Sequence, residues 1–369
     1  MNQILTRVNQ NLLFGILLGV ILWFGKPVLV PILLGALLAM LMSPVCRSLD
    51  DKGFHRVVSC VICIFILLVA ILCVLYIIIA QINSFAENFA LLKQRGNELL
   101  LQLQMFIENR LNIEKKDQDV IVEGQVQGGG AQSGITTLLL TSFTSTLVTL
   151  VLMLVYAFLF LYGKEKYESF FIRLYHEEDT DKVKNIVSKI SMVGQKYLAG
   201  RAMSVLILAG LYSAALLIIG VENAILLAGI AALLTIIPYV GSTLGGMFPF
   251  LMALITEPTA TPALMVAGSI ILIQTIDNYF IEPNVVGGEV NLSALASIMS
   301  IIVGGVVWGV AGMILFIPMV GILKIIFDHV EPLKPLGFVI GDGNGDHKKS
   351  RIKMWIRERF GWGNSEETV

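Results

Sequence analysis

Residues able to do chemistry are sparse in this 369-residue chain, and the densest set lies in the stretch SIILIQTIDNYFIEP. There Gln274, Asp277, Asn278 and Glu282 follow i, i+3, i+4 and i+8 spacing, which predicts one shared helix face. A carboxylate on such a face can exchange a proton or meet a cation, and the carboxamides can hydrogen-bond a polar solute. The same groups can bond across to another helix or a second copy of the chain, as polar side chains do in membranes. Both readings stand. Pro283, which lacks an amide hydrogen and clashes with the preceding turn, is expected to end or kink this helix.

The surroundings sharpen the first reading. The 122 residues from 202 to 323 contain no Lys, Arg or His, yet hold Glu222, Glu257, Asp277, Glu282 and Glu289. Ionisable groups in a bilayer are costly and face a bundle interior or a wet cavity, so unbalanced acids suggest a path that tolerates cations or protons. Glu222, Glu257 and Glu289 read more simply as loop residues. A second feature is the stretch IIPYVGSTLGGMFPF, with Pro238, Tyr239, Gly241, Gly245 and Gly246. A backbone break there would offer amides and carbonyls to a solute at membrane depth. Close packing by small residues is the alternative.

Other chemistries are excluded. No GxxxxGK[ST] phosphate loop and no HExxH metal motif occurs. Cys46, Cys60, Cys63 and Cys73 sit in or beside one apolar stretch, without His or acid at ligand spacing inside it, and read as apolar helix residues. The tail's Asp342-x-Asn344-x-Asp346 resembles a calcium loop, but His347 stands where Gly is needed and Lys353 where Glu is needed. A formal net charge of −1 gives no basic field for nucleic acid. No catalytic residue, metal or cofactor is expected, and the chain is not read as an enzyme.

The elements that must position these residues are membrane helices. Composition is 56% hydrophobic and 14% charged, against about 25% charged in soluble domains. A hydrocarbon core about 30 Å thick takes about 20 helical residues. Residues 11–25, 28–44 and 57–80 form spans one to three within a segment 1–80. A polar stretch, 81–135, reads as an extracytoplasmic helical insertion, and 136–162 is span four. Residues 163–201, with eight basic and six acidic residues, form a cytoplasmic amphipathic segment. Residues 202–330 make a C-terminal core, in which 223–256 and 294–327 exceed one straight span and predict broken or re-entrant helices. Residues 331–369 are a basic cytoplasmic tail. The fold class is therefore all-α, a polytopic transmembrane bundle of about eight spans. Lys and Arg placement puts both termini in the cytoplasm.

Four motifs carry a family resemblance: Tyr197-Leu198-Ala199-Gly200-Arg201 entering the fifth span, Pro238-Tyr239-Val240-Gly241, Gln274-x-x-Asp277-Asn278 running into Glu282-Pro283, and the late GGVVWGVAGMILFIPMVGILK. Over residues 10 to 330 the chain resembles the autoinducer-2 exporter family of permeases, also described as PerM-type. The resemblance implies a bacterial cytoplasmic membrane, homo-oligomerisation and gradient-driven transport. Expected partners are the lipid bilayer, a small-molecule or cation substrate, and other copies of the chain. Three functions remain open: efflux of a small solute such as autoinducer-2, sodium (lithium)/proton antiport through Asp277, and a non-transporting oligomeric scaffold.

Overall fold

The computed structural model describes residues 2–87, 94, 98, 131–174, 180–238, 240–256, 259–286 and 291–342. The insertion's centre and the tail beyond Asp342 lie outside them. The described residues are helical, with one isolated antiparallel bridge between Leu292 and Gly341. The helices are α1 (Asn2–Phe24), α2 (Lys26–Asp51), α3 (Arg56–Glu87), α4 (Ala131–Tyr162), α5 (Lys164–Leu174), α6 (Thr180–Ile219), α7 (Ala224–Leu234), α8 (Val240–Thr256), α9 (Ala260–Ile276), π1 (Asp277–Val286), α10 (Ala294–Trp308), α11 (Val310–His329) and α12 (Lys334–Ile340). Among the described residues five helices are long and apolar enough to cross a bilayer, or six if the pair Leu147–Tyr162 and Lys164–Phe170 counts as one bent span. Shorter apolar helices, Leu12–Phe24, Ala224–Leu234, Val240–Thr256 and Ala294–Trp308, complete the set. The chain is a helical polytopic membrane protein.

The segments separate into two compact units. One unit joins residues 27–162 to residues 201–281. In it α3 packs on α4 and α7, and α8 packs on α7 and α9. Gly35 lets α2 touch α4: a Cβ there would lie 2.7 Å from Tyr156 Cβ and 2.8 Å from the Met153 carbonyl oxygen. At the ends of these helices, Arg56 donates to Asp50 Oδ2 at 2.8 Å and to the Leu161 carbonyl at 3.0 Å, holding α2, α3 and α4 together.

The other unit joins residues 1–26 and 163–200 to the chain from 282 onward. Its centre is an antiparallel pair, α10 and α11, turning at Gly309, whose φ of 64° and ψ of −142° suit glycine. Gly304 and Gly312 face each other across this pair. Trp308 stacks edge-on against Phe316, with ring centroids 5.2 Å apart, and its Nε1 donates to the Leu22 carbonyl of α1 at 2.9 Å. Residues 331–342 fold back on the start of α10, where Ser293 N donates to Ile340 O and Asp342 N to Asn291 O.

The two long apolar stretches are thus helix pairs, as expected, and residues 163–201 hold α5 and the first half of α6. α6 runs unbroken for 40 residues through Gly200 and Arg201, about 60 Å of helix. Gly200 stands where its surface changes from polar to apolar and does not break it, and the helix holds no Pro.

Candidate functional site

α9 starts at Thr259, whose extended backbone (φ −122°, ψ 155°) precedes an almost wholly apolar run. At Asp277 the winding widens to the i→i+5 pattern of a π-helix. The expected polar face divides there. Asp277 is only 3% exposed and Gln274 is half-buried, whereas Asn278, Glu282 and Pro283 are exposed. Neighbouring residues stand about 100° apart on a helix, and the change of winding ends the simple 3.6-residue register. Gln274 Nε2 donates to Asn278 Oδ1 at 3.1 Å, and Gln274 Oε1 has no hydrogen-bond partner among the described residues. Pro283 does not end the helix, because the wider winding accommodates it and π1 continues to Val286. Glu282 and Pro283 belong to the unit containing α10; Gln274, Asp277 and Asn278 belong to the other.

The break expected around Pro238 to Gly246 falls, among the described residues, on 235–238, and Tyr239 lies outside them. Its backbone is largely self-satisfied. Thr235, Ile236 and Ile237 donate to carbonyls three residues earlier, and Val240 and Gly241 donate to Pro238 and Ile237. The Thr235 hydroxyl closes on Ala232 O at 2.6 Å. These five amides are therefore not free for a solute. Gly241, Gly245 and Gly246 are helical residues of α8. Gly241 abuts the Leu234 carbonyl, Gly245 lies against Ala231, and Gly246 faces Ile270 of α9.

These contacts fix a level. α7 and α8 form an antiparallel hairpin, and residues 257–259 join α8 to an antiparallel α9. A Cβ on Gly246 would lie 2.7 Å from Ile270 Cγ2. From that crossing α8 extends six residues back to Val240, and α9 seven residues on to Asp277. At about 1.5 Å per residue these are about 9 and 10 Å in the same direction. The hairpin tip and the buried carboxylate lie level. Eleven-residue α7 is about 16 Å long, half of a hydrocarbon core about 30 Å thick.

α6 supplies a further buried face to this unit. Ser204, Leu208, Tyr212 and Leu216 recur at four-residue spacing and are at most 2% exposed. Tyr212 lies within electrostatic reach of Asp277. The sequence reading passed over it, although a hydroxyl-bearing ring on the same helical stripe as Ser204 was the available signal. The motif residues Gly200, buried, and Arg201, half-buried, occupy the middle of α6. Among the described residues no group of three or more His, Cys, Asp or Glu side chains is placed to hold a metal ion.

The sequence profile of the AI-2E family of transporters matches residues 12–331. The chain is 21% identical over 328 residues to YhhT of Escherichia coli (strain K12), a protein named provisionally for transport, with 88% of this chain and 90% of YhhT covered. It is 24% identical over 322 residues to the AI-2 transport protein TqsA of Escherichia coli (strain K12), covering 87% of this chain and 91% of TqsA. YrrI of Bacillus subtilis (strain 168), also named provisionally for transport, is 21% identical over 316 residues, with 82% and 87% covered.

Proposed function

Because the chain belongs to the AI-2E family of transporters, we propose that it is a secondary permease exporting a small solute, autoinducer-2 or a related metabolite, past Asp277 and the tip of the α7–α8 hairpin. The carrying observation is that level placement. A carboxylate 3% exposed sits level with the tip of the α7–α8 hairpin, and buried ionisable groups in membranes mark solute and proton paths. The name of TqsA supports the choice of solute. Reconstituted protein in vesicles loaded with autoinducer-2 tests it. Wild type releases the solute down an imposed gradient, and Asp277→Asn slows release at least about tenfold, the loss of about 1.4 kcal/mol of stabilisation. Equal rates in the two proteins would remove Asp277 from the path, and no release from either would remove the solute.

Cation/proton antiport is a second reading, favoured by the burial of Asp277 within a stretch of 122 residues free of Lys, Arg and His. Asp277 then alternates between proton and sodium or lithium. Added sodium dissipates a pH gradient in wild-type vesicles, and a response that survives Asp277→Asn sinks this version.

Copies of the chain associate in this reading, with the exposed Asn278, which accepts from half-buried Gln274, available as a seam on an otherwise apolar surface. If cross-linking placed Asp277 itself in that seam and vesicles moved nothing, the protein would be a scaffold. The location is a bacterial cytoplasmic membrane with both termini inside. In support, Lys and Arg cluster in the segments that this orientation puts inside. Tags at both ends accessible only from the cytoplasm would bear this out.

A further inference from the structure

The charged side chains of α11 are gathered at its end, from Lys324 onward. α11 is long and apolar enough to cross the bilayer, so its last residue, His329, stands at a membrane boundary. α12 begins at Lys334 and packs back on α11. Gly341 then bridges to Leu292, just before α10 starts. Because α10 and α11 run antiparallel, these segments meet at one end of the hairpin, and α12 lies at the level of lipid headgroups.

The two faces of α12 differ. Gly337 and Gly341, one turn apart, face α11: a side chain on Gly337 would overlap Asp328 Oδ1, and one on Gly341 would lie 2.7 Å from Lys324 Cε. Leu336, Phe338 and Val339 point elsewhere and are 50, 77 and 71% exposed. Apolar side chains exposed at headgroup level sit among acyl chains. Between α11 and α12 an open cleft of about 310 Å³ is lined by Lys324 and Lys334 and by Asp328 and Asp342. Lys324 donates to Asp328 Oδ2 at 2.6 Å, and Lys334 to Glu331 Oε1 at 2.5 Å. An ammonium has three N–H donors, so one bond each leaves donors for a further acceptor. Lys334 and Glu331 are both exposed, and such a pair holds weakly against a competing anion.

Charge narrows the occupant. The four charged side chains of the lining sum to zero, so a simple anion gains little there. A zwitterion matches both signs, with its phosphate on the lysines and its ammonium on the carboxylates. We propose that the cleft between α11 and α12 holds the headgroup of a membrane phospholipid bearing both a phosphate and a primary ammonium. Lys324 and Lys334 donate to the phosphate, Asp328 and Asp342 accept from the ammonium, and Leu336, Phe338 and Val339 lie among the acyl chains. Gly337 and Gly341 keep the cleft open, since side chains there would push into Asp328 and Lys324. The proposal goes beyond the permease reading and does not depend on which solute is carried.

Native mass spectrometry of the detergent-purified full-length chain tests it. The protein is mixed with equal amounts of phosphatidylethanolamine, phosphatidylcholine and phosphatidylglycerol of one acyl composition, and the retained lipid is identified by its mass. Wild type keeps one phosphatidylethanolamine, preferred at least about tenfold over phosphatidylcholine, whose methylated ammonium has no N–H to give, and over phosphatidylglycerol, which has no ammonium. Lys334→Ala and Asp342→Asn each lose most of that adduct; both positions are exposed, so the fold survives the change. Lys166→Ala, which removes an exposed lysine outside the cleft, keeps it. Equal retention of the three lipids by wild type overturns the proposal, as does an adduct undiminished in Lys334→Ala and Asp342→Asn, or lost equally in Lys166→Ala. Displacement by an equal concentration of soluble phosphoethanolamine would assign the cleft to a water-soluble ligand and overturn the lipid as occupant. Failure of the permease reading shows instead as absent solute release, whatever lipid is retained.

Discussion

Gly246 of α8 and Ile270 of α9 meet where a side chain on the glycine would lie 2.7 Å from Ile270 Cγ2, and this contact sets the hairpin tip level with Asp277. Gly246→Ala is therefore expected to spread α8 from α9. The cost is about 1 to 3 kcal/mol, the range for overpacking a close contact. The obstructing atom is a side-chain methyl, so Ile270→Ala in the same protein makes room and restores part of the stability and the flux. Thermal melts in detergent and vesicle flux on the four proteins of the double-mutant cycle read the coupling. Additive effects would mean the contact does not set the geometry.

The pair Gly304 and Gly312 predicts a different response. A Cβ on either glycine would overlap the other's carbonyl oxygen, and backbone cannot rotate away as a side chain can. Gly312→Ala should cost more than Gly246→Ala, about 3 kcal/mol or more, and truncating the nearby Phe316 should not rescue it. A melting temperature for Gly312→Ala within a degree of wild type would contradict this packing of α10 on α11.

Much of this architecture was legible in the sequence, because a bilayer turns hydrophobic length into helices and Pro or Gly into breaks. The helix pairs at 223–256 and 294–327 were readable from length alone. What escaped depends on neighbours. Gly245 and Gly246 looked like part of a break, yet they are helical residues whose missing side chains admit Ala231 and Ile270. The stripe from Gln274 to Glu282 assumed one winding, and the change to π-helix at Asp277 is invisible to a periodicity count. Arg201 suggested a boundary, yet the helix runs through it because polar and apolar halves are equally helical. Tyr212 read as one more apolar residue until Asp277 lay within its reach.

Arg56 shares its guanidinium between the Asp50 carboxylate at 2.8 Å and the Leu161 carbonyl at the end of α4 at 3.0 Å. The ion pair is 28% and 24% exposed, so the charge attraction is screened and contributes about 1 kcal/mol at most. The carbonyl contact adds a second bond that a lysine cannot make at the same time, because an ammonium is a compact point charge without the planar fork. Arg56→Lys should thus lose roughly 1 kcal/mol, despite conserving the charge, and the loss should persist in high salt. A full recovery of stability by Lys would mean that charge alone holds this corner.

Trp308 anchors α1 through its indole N–H to the Leu22 carbonyl at 2.9 Å. Little else in its unit grips α1: Leu12, Leu13, Phe14, Ile16, Leu17, Leu18, Val20 and Ile21 are all at least 46% exposed. Trp308→Phe keeps an aromatic ring against Phe316 and removes the one donor. The global cost should be small, about 0.5 to 1.5 kcal/mol, while the effect on α1 should be large. Cysteines placed at Leu22 and at Val307, next to Trp308 on α10, in a cysteine-free background report the tether by disulfide cross-linking within one chain. Cross-linking falls several-fold in Trp308→Phe while the melting temperature barely moves. If cross-linking is unchanged, packing of α1 on α10 holds the helix without the hydrogen bond, and the indole serves only to fill space beside Phe316.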